Sequence, residues 1–123
     1  MRMLSLALAL GAMTLVTGCE DTGARRPDDV TQSNLNAARR IVANDPARRQ
    51  DLMNSCRADI RMNSKNTNNN VAVVMGVSPA QVPTAFCDRM IEGVQSGRLD
   101  ATDINESKRG NITPKMLAVL QAR

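Results

Sequence analysis

The chain has 123 residues, which is the size of one small domain. Its formal net charge is +4, and 23% of its residues are charged. It contains no His, no Trp and no Tyr, so it lacks the commonest general base, the commonest neutral metal ligand and nearly all stacking platforms for nucleic acid bases. The composition therefore argues against nucleic acid binding and predicts no metal site and no cofactor.

The N-terminal segment has the pattern of a secretory signal. Arg2 supplies one positive charge, and the apolar run from Met3 to Val16 is shorter than the roughly 20 apolar residues that span a bilayer. The run closes on Val16-Thr17-Gly18-Cys19: an aliphatic residue, two small or short residues and then Cys. This ending resembles the signal of bacterial lipoproteins. The resemblance implies that residues 1–18 are removed and that Cys19 becomes the lipid-bearing N-terminus.

The same resemblance implies a location in the bacterial cell envelope, facing the periplasm and anchored by lipid on Cys19. In enteric bacteria, Asp directly after the lipidated Cys resembles an inner-membrane retention signal; Glu20 stands there in this chain, which favours the outer membrane. Loss of Arg2 with the signal leaves a net side-chain charge of +3. Residues 19–30 are polar and almost without apolar side chains, which predicts a flexible tether before a domain at 31–123.

Two helices are predicted at the start of this domain. The first begins at a cap on Thr31 or Ser33 and ends at Asn44-Asp45-Pro46, because the residue before Pro avoids helical dihedrals. Asp45 and Pro46 also form a start signal, which predicts a second helix from Pro46 to about Asn63. The apolar residues at helical spacing are Leu35, Ala38, Ile41 and Val42 in the first helix, and Leu52, Met53, Cys56 and Ile60 in the second.

Three cations, Arg57, Arg61 and Lys65, form a stripe along one border of the second apolar face. A solvated border, with Arg stems covering the edge of the core, is the simpler interpretation. The alternative is contact with anionic phosphates of lipid or lipopolysaccharide.

The next segment, Asn63 to Asn70, is a polar tract that predicts an exposed loop, because Asn favours turns. Val71 to Met75 is rich in β-branched residues and is compatible with a strand or with a short buried helix between Asn70 and Gly76. No other segment offers a partner strand, so the helix is favoured.

Four further start signals follow Gly76. Ser78-Pro79 predicts a single turn up to Val82, and Pro83 predicts the start of a longer helix that ends at Gly97. Asp100 is predicted to cap a short helix with Asp103 at its third position, since these carboxylates do not follow the spacing of a calcium loop. Thr113-Pro114 predicts a last helix. The inward face of the longer helix comprises Phe86, Cys87, Met90, Ile91 and Val94.

With Cys19 assigned to lipid, Cys56 and Cys87 remain as a pair in an exported chain. A disulfide between them is predicted, with two buried free thiols as the alternative. The predicted fold is therefore an all-α bundle of four to five short helices, joined by one interhelical disulfide.

The sequence contains no catalytic constellation, which favours a non-enzymatic envelope lipoprotein that acts as a protein-binding or assembly accessory module. An alternative is a cell-wall-directed enzyme or enzyme inhibitor that uses carboxylates, and a third possibility is a scaffold without a specific partner. The carboxylates available to the alternative are Asp59, Asp88, Glu92, Asp100, Asp103 and Glu106.

Overall fold

The computed structural model describes residues 26–122. The predicted signal, Cys19 and the first part of the predicted tether lie outside the described residues. The described part is all-helical, as predicted, and has no strand; it contains six α-helices, one more than the upper number expected. The helices are α1 (Gln32–Asn44), α2 (Pro46–Arg61), α3 (Lys65–Met75), α4 (Val82–Gln95), α5 (Ala101–Lys108) and α6 (Pro114–Gln121), with a 3-10 turn at Pro79–Gln81.

Most helices begin at the caps that the sequence predicts. The side chains of Asp45, Asp100 and Thr113 each accept a hydrogen bond from the backbone N–H three residues on, which pairs one of the otherwise free donors of the first turn. At the start of α1 it is Thr31, and not Ser33, that makes this bond. These helix starts are local features, so neighbouring residues are sufficient to specify them.

The prediction of an exposed loop at Asn63–Asn70 is wrong, because α3 already begins at Lys65. Ser64 caps this helix by accepting from the backbone N–H of Thr67, at 3.1 Å. The intrinsic cost of Asn in a helix is at most about 0.7 kcal/mol per residue, which the burial of Ala72 and Met75 further along the same helix offsets. Gly76 ends α3 in the left-handed conformation, at φ 66°, as the sequence predicts.

The core has two apolar clusters. One joins α3 and α6 with the connection after α4, and the other joins α2 and α4. Phe86 is half-buried and packs against both, so the single aromatic residue connects them. The buried members are Met75, Leu99, Met116, Val119 and Leu120 in the first cluster, and Met53, Cys87 and Ile91 in the second.

Two arginines join helix ends that are distant in sequence. Arg39 of α1 donates to the backbone carbonyls of Val94 and Leu99, at the end of α4 and just beyond it. Arg89 of α4 donates to the carbonyls of Met75 and Leu120, at the ends of α3 and α6. Arg89 therefore pairs carbonyls in the last turns of two helices, at the end where the helix dipole favours a cation. Arg39 pairs one such carbonyl, that of Val94, and the carbonyl of Leu99 in the connection between α4 and α5.

The disulfide between Cys56 and Cys87 is present, with the two Cα atoms 5.9 Å apart. It connects α2 to α4, which also pack directly against each other. Cys87 is fully buried, whereas Cys56 is half-buried. The predicted pairing and the predicted interhelical staple are both confirmed.

Candidate binding groove beside the disulfide

An apolar groove with a volume of about 410 Å³ lies between α1, α2, α4 and α5. Its size is within the range of pockets that bind small ligands. Most of its wall is aliphatic or sulfur-containing. The residues that line it are Val30, Asn34, Leu35, Ala38, Arg39, Val42, Leu52, Cys56, Met90, Ile91, Val94, Gln95 and Ile104.

The groove is formed by the apolar faces that the sequence predicts for α1, α2 and α4. Packing between these helices leaves part of the faces uncovered. Leu35 is buried, but Ala38 is exposed and Leu52 remains 45% exposed at the groove. Ile41, one helical turn beyond Ala38, is 48% exposed. The Ala38 side chain ends at Cβ and cannot fill the space between the helices, so an apolar surface stays open to solvent.

The groove wall has few polar groups, and its one cation, Arg39, already makes hydrogen bonds within the protein. Besides its bonds to the carbonyls of Val94 and Leu99, Arg39 donates to the side-chain oxygen of Asn36, at 2.8 Å. Asn34 and Gln95 are the other polar side chains of the wall, and both are uncharged. The wall therefore suits hydrocarbon and provides no titratable group free for proton transfer.

The end of the predicted tether is held at this groove by α5. Asn105, which is buried, pairs with the backbone of Val30 in both directions: its side-chain oxygen accepts from the N–H at 2.8 Å, and its amide donates to the carbonyl at 2.9 Å. Asp29 forms an ion pair with Arg109 at 2.6 Å, and Lys108 donates to the carbonyl of Asp28. We call these contacts the N-terminal clamp; they place Val30 in the groove wall.

The charges and hydrogen bonds of the clamp favour the ionised form of the Asp29 carboxylate. The pKa of Asp29 is lowered from its ordinary 3.8, first by the hydrogen bond from the backbone N–H of Arg26, then by the nearby charge of Arg109 and by its hydrogen bond. Glu106 accepts from Asn111 and from Arg109, at 2.8 Å each, and both contacts lower its pKa in that order. The cation Arg109 thus lies between two carboxylates.

The remaining predicted carboxylates of α5 cap helices. Asp100 accepts from the backbone N–H of Asp103 and from Lys115, whose hydrogen bond at 2.8 Å is the main reason that the pKa of Asp100 is lowered. Asp103 is buried and accepts from the hydroxyl of Thr113 at 2.6 Å. The interpretation of these residues as caps is confirmed.

The other carboxylates proposed for an enzyme are dispersed. Glu92 pairs loosely with Arg98 at 3.5 Å, while Asp59 and Asp88 are exposed on α2 and α4. None of them lines the groove. Across residues 26–122 there is no group of three or more His, Cys, Asp or Glu side chains that could hold a metal ion.

The basic stripe is only partly surface-exposed. Arg61 and Lys65 are exposed, but Arg57 is half-buried, and within the described residues its Nε has no hydrogen-bond partner and is inaccessible to water. Cover of the core edge by the Arg57 stem, which the simpler interpretation expects, stays a prediction. Contact with an anionic surface by these three residues stays a prediction.

Sequence patterns missed the residues that shape this region most. Neither the pairing of Asn105 with Val30 nor the bonds of Arg39 and Arg89 to distant carbonyls has a signal at short sequence separation.

No helix among residues 26–122 combines the length and the apolar composition needed to cross a bilayer. No protein-family model, curated protein or solved structure matches the chain.

Proposed function

We propose that this protein is a lipid-anchored, non-enzymatic lipoprotein of the bacterial envelope whose helical domain binds or positions another envelope protein. The observation that carries the binding role is the open apolar groove between α1, α2 and α4. Its volume of about 410 Å³ is lined by uncharged residues apart from Arg39. Apolar surface that stays exposed beside such a groove is typical of interaction sites.

A helix of the partner protein fits this groove chemically. Its backbone is hydrogen-bonded internally, so only side chains enter, and these require few polar groups from the wall. Ile41 and Leu52, both nearly half-exposed, extend the apolar surface beyond the groove itself. Residues spaced three or four apart on the partner helix are the expected anchors.

The proposed anchor is lipid on Cys19, supported by Val16-Thr17-Gly18-Cys19. Two acyl chains hold a protein stably at a membrane, whereas a single one is marginal. The N-terminal clamp places the end of the tether in the groove wall, so partner and membrane are expected close to each other. Glu20 directly after Cys19 favours the outer over the inner membrane.

Mass spectrometry of the mature chain tests the anchor. An N-terminal peptide beginning at acylated Cys19 is expected. A mature N-terminus at another residue, or an unmodified Cys19, would contradict the proposal.

Site-specific crosslinking in intact cells tests the binding role. A photo-crosslinking amino acid in place of Leu52 should give one adduct with an envelope protein. Ala38→Arg puts a charge into the groove and should abolish that adduct, while Ala43→Arg, at an exposed position of the same helix outside the groove, should leave it unchanged. An adduct that survives Ala38→Arg argues against the groove as the binding site.

The rival function is a cell-wall-directed enzyme or inhibitor that uses carboxylates. Peptidoglycan hydrolysis by the purified chain, abolished by Asp103→Asn in a variant that still folds, would favour the rival. We expect no such hydrolysis, because Asp103 is buried and bonded to Thr113.

A further inference from the structure

The groove has the chemistry and the volume of a site for one acyl chain. A ligand with unpaired polar groups would lose hydrogen bonds to water against this wall, whereas a hydrocarbon chain loses none. Liquid water occupies about 30 Å³ per molecule, and a methylene group takes up a similar space. A groove of about 410 Å³ therefore holds on the order of a dozen methylene groups, the scale of a membrane-lipid chain.

The N-terminal clamp indicates where such a chain comes from. Val30 is itself part of the groove wall, and its backbone is fixed by Asn105. Cys19 precedes Arg26, where the described chain begins, by seven residues, which span at most about 25 Å when extended. A group attached to Cys19 can therefore reach the groove from the end of the clamp.

Attachment also gives this source an advantage over free lipid. A short linker raises the effective concentration of an attached group to roughly the millimolar range. Free fatty acids or phospholipids would have to reach that concentration in solution to compete equally. The charges of the clamp are neutralised, since Asp28 and Asp29 pair with Lys108 and Arg109. No unpaired carboxylate of the clamp therefore opposes a hydrocarbon chain beside Val30.

We propose that the groove holds one acyl chain of the protein's own lipid on Cys19 whenever no partner protein occupies it. This inference rests on the proposed function, because it requires an acylated Cys19. It adds regulation of the same site: the partner helix and the acyl chain exclude each other. Partner binding then releases the chain from the groove, and insertion of the chain into a bilayer opens the groove to the partner.

A photoactivatable fatty acid, supplied to cells that produce the full chain, tests this occupancy. After incorporation into the lipid anchor and purification in detergent, irradiation should join the Cys19 peptide to peptides of α1 or α4 that contain Ala38 or Val94. Isotope-labelled and unlabelled chains, mixed before irradiation, distinguish a link within one chain from a link between two. The expected product lies within one chain.

Each other outcome has a separate meaning. Label on Cys19 without a link to groove peptides overturns the inference and leaves the proposed anchor intact. Groove peptides that carry a free lipid, or a link from another copy, overturn it too, because the source is then external. Absence of label from Cys19 contradicts the proposed anchor and the inference together.

A matched pair of variants locates the chain. Ala38→Phe fills the groove and should remove most of the intrachain product, whereas Ala43→Phe, on the same helix but outside the groove, should retain it. Equal loss in both variants, or none in either, overturns the assignment of the chain to this groove.

Discussion

Arg39 and Arg89 each bind elements that are distant in sequence to one another by hydrogen bonds. Arg89 extends from α4 to the carbonyls of Met75 and Leu120, and Arg39 extends from α1 to those of Val94 and Leu99. The carbonyls of Met75, Val94 and Leu120 lie in the last turn of a helix, where the next helical donor is missing. A single guanidinium, with donors on three nitrogens, can pair two of them at once.

Replacing Arg89 by Met keeps the stem but removes both hydrogen bonds. We expect the free energy of unfolding, measured by urea denaturation, to fall by about 1.5–3 kcal/mol, the usual range for a hydrogen bond to a charged group. Arg98→Met is the matched control, since Arg98 is exposed and its contact with Glu92 is 3.5 Å. Equal stability of the two variants would show that the carbonyl contacts contribute little.

The lowered pKa of Asp29 predicts that acid opens the N-terminal clamp. Because its folded pKa lies below the ordinary 3.8, the stabilisation by its ionised form is complete above about pH 5 and is lost as the pH falls through the folded pKa, below about pH 4. The N-terminal clamp should therefore open in this window, which the NMR signals of the Asn105 side-chain amide and the Val30 N–H would report.

Asp29→Asn provides the control for this acid response, because Glu106 also contacts Arg109 and its pKa is lowered as well. In this variant the Val30 and Asn105 signals should already be altered at pH 7. Signals of the parent protein that stay unchanged down to pH 2, or that change near pH 6, would refute the assignment to Asp29.

At the scale of the elements, α4 depends on a residue with no side chain. Gly93 is buried within α4, where it faces Val119 of α6 and Leu99 in the connection after α4. A Cβ atom added there would lie 2.8 Å from Val119 Cγ1 and 2.9 Å from Leu99 Cδ1. The two neighbours are among the most buried residues of the core, so they have little space into which to move.

Gly93→Ala sets two effects against each other. Ala is favoured over Gly in a helix by about 0.8–1 kcal/mol, but overpacking a core usually costs about 1–3 kcal/mol. We expect a net loss of roughly 1 kcal/mol in the free energy of unfolding, measured by urea denaturation, with the exposed Ser55→Ala of α2 as a control for helix propensity. Adding Val119→Ala should cost less in the Gly93→Ala background than alone; strict additivity would argue against the steric contact.

At the scale of the whole molecule, the disulfide holds together two walls of the groove. Cys56 and Cys87 are 31 residues apart in sequence, and the loop they close contains α3. Chain-entropy reasoning for a loop of this length gives an upper estimate of about 3.5–4 kcal/mol. This is a large part of the 5–15 kcal/mol that is typical of a folded domain.

Reduction of the bond should therefore lower the melting temperature, and Cys56→Ser with Cys87→Ser should lower it similarly. Reductant should cause no further change in the double variant, which serves as the control for other effects of the reagent. Labelling of two free thiols at Cys56 and Cys87 in the folded, oxidised protein would exclude the structural bond.

Several features of the fold follow from the amino-acid sequence alone. Three helix starts are predicted correctly, because a cap is completed within three residues of chain. They are Asp45-Pro46, Asp100 with Asp103, and Thr113-Pro114. The inward positions of Cys56 and Cys87, and their bond, follow from helical spacing together with the number of cysteines. The lipid on Cys19 remains a prediction of the sequence, outside the described residues.

Only the tertiary structure decided that Asn66, Asn68, Asn69 and Asn70 are helical and that the apolar faces of α1, α2 and α4 leave a groove. In both cases local preference is weak: Asn loses little in a helix, and an apolar stripe specifies which side is buried without specifying how completely it is covered. The clamp between Asn105 and Val30 joins residues 75 positions apart. Such contacts depend on how whole helices pack, and no short stretch of sequence encodes that packing.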